Sequence, residues 1–262
     1  MLLLFLMLVT LIFGDTFLVN RVTHGELIMH IHDGLLPLTI AIPALIISII
    51  FWIISFKKIK LTEQQVPMMG LLTALFFAAM FMDFPVIGGT TAHLLGGAAI
   101  GLILGPFAGL ISVSIILVLQ AFLFGDGGLI ALGANVLNLG VIGVFIPCII
   151  FIALNKLLKP KIGRSLYATI FISAFSGSLL AAIAAGAEIG LSSLFPYGFH
   201  TAVSAMILPH SIIGVAEGIV TVILIVTLIK LRPDVIEKSP ILGKLALFKN
   251  KATNEEPVDD KE

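Results

Sequence analysis

Apolar residues run in long stretches along most of the chain, and short polar turns separate one stretch from the next. About 20 residues of α-helix cross the ~30 Å hydrocarbon core of a bilayer. The stretches do not alternate apolar and polar positions as barrel strands do, so we predict helices throughout. The fold class is an all-α membrane protein, a bundle of about seven transmembrane helices. The predicted spans are 36–56, 66–83, 91–104, 107–124, 129–153, 166–190 and 205–230, the third being shortened by the Gly105-Pro106 break.

Composition agrees with a bilayer as the main solvent. Hydrophobic residues make up 59% of the 262 residues and charged residues only 11%, against roughly one quarter charged residues in soluble domains. The single cysteine, Cys148, lies within an apolar run. A disulfide framework and a cysteine-based metal cluster are therefore excluded.

The positions of lysine and arginine predict the orientation, because short cytoplasmic loops are enriched in both residues. Basic residues follow the first, fifth and seventh spans: Lys57, Lys58, Lys60, Lys156, Lys159, Lys161, Arg164, Lys230 and Arg232. The loops 84–90, 125–128 and 191–204 contain none. We therefore predict a multi-pass protein of the cell membrane, with the mature N-terminus outside and the C-terminus in the cytoplasm.

Three segments follow from this topology: a doubtful leader at 1–28, a transmembrane domain at 29–230 and a charged cytoplasmic tail at 231–262. The leader begins with an apolar run, but it lacks both a positively charged start and a small-residue cleavage site before Met29. An over-extended start, a cleaved signal and an eighth span remain open. The first of these would make Met29 the free amino terminus.

Met29 and His30 together can chelate a metal ion if Met29 is the free amino terminus. Its amine, the next amide nitrogen and the His30 imidazole can close adjacent chelate rings around one ion. Three nitrogens in one plane favour an ion with a tetragonal preference, such as Ni(II) or Cu(II), over zinc. His93 is the candidate fourth donor, since the topology places it near the outer end of the third span and histidine within a span is usually functional. The alternative is that both histidines are interfacial residues without a metal.

Small residues follow His93 at helical spacing, at Gly97, Gly101, Gly105 and Gly109. Glycine at every fourth position lets another helix approach closely. We expect this packing to hold His93 in a rigid bundle.

Further polar residues are candidates for orienting the ligands without touching the ion: Asp33, Asn135, Asn138, His210 and Glu217. For the two asparagines, hydrogen bonding between helices is the favoured alternative. His210 and Glu217 lie seven positions apart on one helical face, and they either support the site or satisfy each other. For Glu188, in the sixth span, an access role is open and a packing role is the simpler interpretation.

Three segments together resemble the CbiM/NikM family, the substrate-binding M components of energy-coupling-factor cobalt/nickel transporters. They are the start at 29–37, Met-His-Ile-His-Asp-Gly-Leu-Leu-Pro, the segment Thr91-Ala-His93-Leu-Leu-Gly-Gly, and Gln120 through Asn138. The resemblance covers residues 29–230 and implies a seven-helix substrate-binding subunit. It also implies that the Met29 amine, the His30 amide and imidazole, and His93 bind the metal in a square plane.

The same resemblance implies partners, namely a transmembrane coupling protein, a pair of cytoplasmic ATPases and often a small additional membrane subunit. The chain departs from the family at its start, because family members begin at the Met-His pair or are processed to it. Here 28 residues precede that pair.

The sequence contains neither a Walker A phosphate loop nor a His-Glu-x-x-His zinc-protease motif, so we expect no ATP hydrolysis or peptide cleavage by this chain. We predict a substrate-capture subunit of an ATP-driven nickel or cobalt uptake transporter, not an enzyme. No cofactor besides the transported Ni(II) or Co(II), and no nucleic-acid partner, is expected. The alternatives are a stand-alone proton-coupled carrier with Glu188 and Glu217 as relay acids, and a structural membrane subunit.

Overall fold

The computed structural model describes residues 30–63, 65–81, 84–86, 90–160 and 162–244. The predicted leader, Met29 and the end of the charged tail lie outside these residues. The described chain is helical apart from one short hairpin. In order, its elements are α1 (Leu38–Lys58), α2 (Gln65–Met80), β1 (Phe84–Val86), β2 (Thr90–Ala92), α3 (Gly97–Leu104), α4 (Pro106–Phe124), α5 (Leu132–Leu158), α6 (Arg164–Gly190), α7 (Gly198–Leu231), α8 (Pro233–Glu237) and a 3₁₀ turn, Leu242–Lys244.

Five of these helices are long and apolar enough to cross a membrane, namely α1, α4, α5, α6 and α7. They correspond to the first and the last four predicted spans. Helix α2, the second predicted span, is apolar but has only 16 residues, which is about 24 Å of helix. The all-α, multi-pass membrane class is confirmed, whereas the predicted count of seven full spans is not.

The third predicted span, 91–104, differs most from the expectation. Its start forms β2, which pairs antiparallel with β1, and α3 has only eight residues. Gly96 and Gly105, which flank α3, have φ of +70° and +86°, and Pro106 begins α4, so the helix is interrupted at both ends. All eight residues of α3 are buried. Irregular backbone is tolerated beside it because protein, not lipid, surrounds it.

The glycines after His93 lie at close helix contacts. A Cβ atom at Gly97 would lie 2.7 Å from the Gly143 carbonyl oxygen, and one at Gly101 would lie 2.8 Å from Val144 Cγ1. A Cβ atom at Gly109 would lie 2.7 Å from the same Val144 methyl group. Helices α3 and α4 therefore pack against α5 near Val144, so closely that a side chain larger than glycine does not fit at these three positions.

Helix α5 changes its hydrogen-bond pattern in its middle. Leu132–Asn135 is α-helical, Val136–Ile142 is π-helical and Gly143–Leu158 is α-helical again. Short π-helical segments within α-helices are frequent at functional sites. Here the π-helical segment carries Asn138, one of the candidate residues.

His30 and the basic end of α1 lie at opposite ends of the bundle. Lys58 Nζ lies 5.4 Å from the centre of the Phe107 ring, at the start of α4, whereas His30 contacts Gln120 near the end of α4. The helix rises about 20 Å between these two positions. The two segments that the charge-based topology assigns to different sides of the membrane are thus far apart, and the prediction that the basic end faces the cytoplasm stays a prediction.

Residues 233–244, expected to be part of a separate tail, pack against the bundle. The Ser239 hydroxyl donates to the Leu102 carbonyl oxygen at 2.7 Å, and Gln65 Nε2 donates to the Lys238 carbonyl oxygen at 3.0 Å. Ile236 and Leu242 are fully buried. This part of the predicted tail therefore belongs to the same folded unit as the spans.

Candidate metal-binding site

His30 and His93 lie beside each other at the end of the bundle remote from Lys58. The centroids of their imidazole rings are 5.1 Å apart, and the ring planes meet at 82°. Only 5% of His30 and 6% of His93 is exposed. The structure thus brings together the two histidines that the sequence proposed as ligands, and imidazole nitrogen suits nickel and related ions.

The segment that carries His30 is fastened to α5 by Asn135. Its Oδ1 accepts the Ile31 amide and its Nδ2 donates to the Ile31 carbonyl, both at 3.0 Å. The Gly128 amide donates to the same carbonyl at 2.9 Å. The Asn135 side chain therefore pairs with the Ile31 backbone as a neighbouring β-strand would, and this pairing positions the adjacent His30.

Asp33 secures the same segment at its exposed edge. Its carboxylate accepts the amides of Leu129 at 3.0 Å, Ile130 at 2.8 Å and Ala131 at 3.2 Å. These amides precede α5, where a helix start leaves donors without intrahelical acceptors. Asp33 therefore ties the His30 segment to the start of α5.

Gln120 is the contact of His30 that the sequence analysis missed. Its Oε1 lies 3.0 Å from His30 Nε2, and the residue is completely buried in α4. Among the predictions from sequence, Gln120 is only the first residue of the motif that ends at Asn138. The sequence does contain an indication of such a contact, because a glutamine within an apolar span requires a hydrogen-bond partner.

The turn that carries His93 is held by Glu217 of α7. The two carboxylate oxygens accept the amides of Leu95 at 2.9 Å and Gly96 at 2.8 Å. His210, on the same helix, instead donates from Nδ1 to the Met206 carbonyl at 2.8 Å. Each of the two side chains thus has its own partner, and the interpretation that they satisfy each other is wrong.

A cavity of about 220 Å³ adjoins the two histidines and extends between α5, α6 and α7. Its polar lining comes from His30, His93, Asn135, Asn138 and His210, and the rest is mainly alanine and larger aliphatic side chains. Asn138 Nδ2 donates to Glu188 Oε2 at 2.7 Å. This bond links α5 to α6 beside the cavity, which supports the interhelical interpretation of Asn138 and the packing interpretation of Glu188.

Side chains alone do not complete a metal site in the part of the chain that is described. There, no group of three or more histidine, cysteine, aspartate and glutamate side chains is arranged to hold an ion. His30 and His93 provide two imidazoles, and Met29 lies outside the described residues. Within the described residues the pair is therefore not part of a larger cluster of histidine, cysteine and acidic side chains.

Several proteins similar to this chain are described as metal transport proteins, including relatives from Methanocaldococcus jannaschii and Rhodobacter capsulatus. A family model described as cobalt uptake substrate-specific transmembrane region matches residues 30–235. A protein of Methanocaldococcus jannaschii is 40% identical over 215 residues, 79% of this chain and 94% of that protein. The fused nickel transport protein NikMN of Rhodobacter capsulatus is 35% identical over 223 residues, 79% of this chain and 64% of that protein.

A solved structure extends the similarity to the fold. The crystal structure of a transition metal transporter matches with a TM-score of 0.71 and 30% identity, covering 87% of this chain and 100% of that one.

Proposed function

This chain belongs to the family of cobalt uptake substrate-specific transmembrane regions, CbiM, and on that premise we propose that it is the substrate-capture subunit of an ATP-driven uptake transporter. In this proposal, of the energy-coupling-factor type, the chain binds Ni(II) or Co(II) at the outer face of the membrane. The observation that carries the proposal is the buried His30–His93 pair beside a cavity.

The proposed ligands are the Met29 amine, the His30 amide and imidazole nitrogens, and the His93 imidazole. A square plane of nitrogens suits Ni(II) and disfavours the tetrahedral habit of zinc. Two imidazoles without a third ligating side chain, as in the described residues, agree with a site completed by backbone nitrogen. Met29 must then be the free amino terminus.

The surrounding residues support such a site by orienting its two halves. Asp33 and Asn135 fasten the His30 segment, and Glu217 fastens the His93 turn. A rigid site holds its ligands in the geometry that the ion requires, and partners of this kind commonly affect metal affinity as much as 10- to 100-fold. Asn138 and His210 line the cavity and are proposed to shape it rather than to hold the ion.

The proposed partners are a transmembrane coupling protein, a pair of cytoplasmic ATPases and a small accessory membrane subunit. The Rhodobacter capsulatus relative is a fused protein, and this chain aligns with 64% of it. We infer that the remainder of such a fusion corresponds to a separate subunit here. ATP hydrolysis by the partners would drive release of the ion toward the cytoplasm, in an alternating-access cycle.

The first test combines intact-protein mass, amino-terminal sequencing and metal analysis on one purified sample. A chain that starts at Met29 and holds about one nickel or cobalt ion supports the proposal. Stoichiometric metal on a chain that retains residues 1–28 contradicts the amine ligand. Metal uptake by the isolated chain into energised vesicles without ATP would contradict ATP-driven capture and favour a proton-coupled carrier.

A further inference from the structure

A buried amide lies directly against the ring of His30. Gln120 has no exposed surface, and its Oε1 is 3.0 Å from His30 Nε2. Helix α4 otherwise consists of apolar residues and glycine, with two serines. A glutamine in such a helix is costly unless it forms hydrogen bonds. Its hydrogen bond to the histidine therefore indicates a role for Gln120 beyond filling space in the core.

We propose that Gln120 is a positioning residue that selects the metal-binding tautomer of His30. An amide oxygen can only accept, so the bond requires the imidazole proton to reside on Nε2. The ring lone pair is then on Nδ1, the nitrogen next to Cβ. Of the two ring nitrogens, only Nδ1 is close enough to the amide nitrogen of His30 for both to bind one ion in a small chelate ring. Because that chelated ion belongs to the proposed function, this inference rests on the proposed function.

The placement of Gln120 makes the selection rigid. Its backbone carbonyl accepts the amides of Gly125 and Asp126, the latter at 3.0 Å, where α4 ends. The turn that follows brings Gly127 against His30, since a Cβ atom on Gly127 would lie 3.1 Å from His30 Cβ. The glutamine and the histidine are thus fixed by the same short stretch of chain.

Metal-bound histidines commonly donate their second N–H to an oxygen acceptor, which fixes the ring and raises its basicity. Removal of such an acceptor typically weakens metal binding 10- to 100-fold. The opposite orientation of the Gln120 amide would donate to His30 Nε2 and place the ring proton on Nδ1. That arrangement would block the chelate, so the tautomer of His30 decides the inference.

The first experiment determines this tautomer without any metal. Nitrogen-15 NMR of the full chain with labelled histidine, in detergent and free of metal, distinguishes Nε2–H from Nδ1–H, and a His30→Ala variant assigns the signal. We expect Nε2–H in the wild type and in Gln120→Glu, which keeps an oxygen acceptor. We expect a mixture of tautomers in Gln120→Met, which is similar in size. A wild type with Nδ1–H, or a Gln120→Met variant with unchanged signals, overturns the inference.

The second experiment measures affinity for Ni(II) and Co(II). Gln120→Met should bind about 10- to 100-fold more weakly, and Gln120→Glu should stay close to the wild type. Gln120→Asn, which withdraws the acceptor but remains polar, serves in place of Gln120→Met if the latter does not fold. Ser114→Ala is the matched control in α4, because Ser114 contacts Trp52 at 2.7 Å and not the histidines.

The two experiments separate this inference from the proposed function. A wild-type chain that shows Nε2–H but binds neither ion contradicts the proposed function alone. A chain that binds nickel or cobalt equally well with methionine at position 120 contradicts the role of Gln120 alone. A purely structural role of Gln120 would lower the unfolding temperature of Gln120→Met and leave the His30 tautomer unchanged.

Discussion

The Glu217 carboxylate accepts the backbone amide of Gly96 at 2.8 Å, so that α7 holds the turn between His93 and α3. The other carboxylate oxygen accepts the neighbouring Leu95 amide at 2.9 Å. These amides lie just before the first turn of α3, where donors have no intrahelical acceptor. The buried Glu217 carboxylate therefore supplies the hydrogen-bond acceptors that water would supply at an exposed helix start. It thereby positions the turn next to His93.

Replacement of Glu217 by glutamine should weaken metal binding. Glutamine offers one oxygen acceptor and one NH₂ donor, so one of the two backbone amides loses its acceptor. We expect metal affinity to fall about 10- to 100-fold and the free energy of unfolding to fall by about 1–3 kcal/mol. Nickel titration and thermal unfolding measure the two effects. Glu237→Gln, at an exposed position of α8, is the control, and equal behaviour of the two variants would refute the role of Glu217.

His93→Ala should abolish stoichiometric binding of nickel and cobalt, because it removes one of two imidazoles that lie 5.1 Å apart. The purified variant should still fold, which its unfolding temperature checks. His200→Ala provides the comparison, since His200 is exposed at the start of α7. Metal retained by His93→Ala at the wild-type ratio would remove His93 from the site.

Gly127→Ala should disturb His30 directly. Gly127 has φ +98°, and a Cβ atom there would lie 3.1 Å from His30 Cβ and 3.3 Å from Asn135 Nδ2. Backbone strain of this kind costs about 1–3 kcal/mol, and the new methyl group would also displace the imidazole. Gly198→Ala shares a positive φ, +77°, but meets open space. We therefore expect both variants to lose stability and only Gly127→Ala to lose metal affinity, as isothermal titration would show.

Two helix glycines should respond in opposite ways to alanine. A methyl group at Gly101 would lie 2.8 Å from Val144 Cγ1 and 3.0 Å from Cys148 Sγ, and overpacking of this kind costs about 1–3 kcal/mol. Gly70, in α2, has nothing within 4 Å of the added atom. Alanine should stabilise that helix by up to about 1 kcal/mol. If thermal unfolding shows the two variants shifted in the same direction, the close contact between α3 and α5 is not a constraint.

Several residues of the candidate site could be predicted from the sequence, but the hydrogen bonds that connect them could not. His93 was predicted because histidine is uncommon within an apolar span, and His30 because it follows Met29 and could chelate an ion together with a free amine there. The glycine spacing after His93 indicated a close helix contact. The partner of Glu217 was out of reach. Helical periodicity relates Glu217 to His210 on its own helix, whereas its real partners, the Leu95 and Gly96 amides, belong to a distant turn.

The sequence by itself determined the membrane class and most of the long helices, because a bilayer requires apolar runs of a given length whose backbone satisfies its own hydrogen bonds. Tertiary structure decided that 91–104 is a hairpin strand, a turn and the eight-residue α3, since a segment surrounded by protein is released from the length that lipid demands. It also decided that Gln120 lies against His30. Contacts between residues so far apart depend on how the helices pack, which no local pattern encodes.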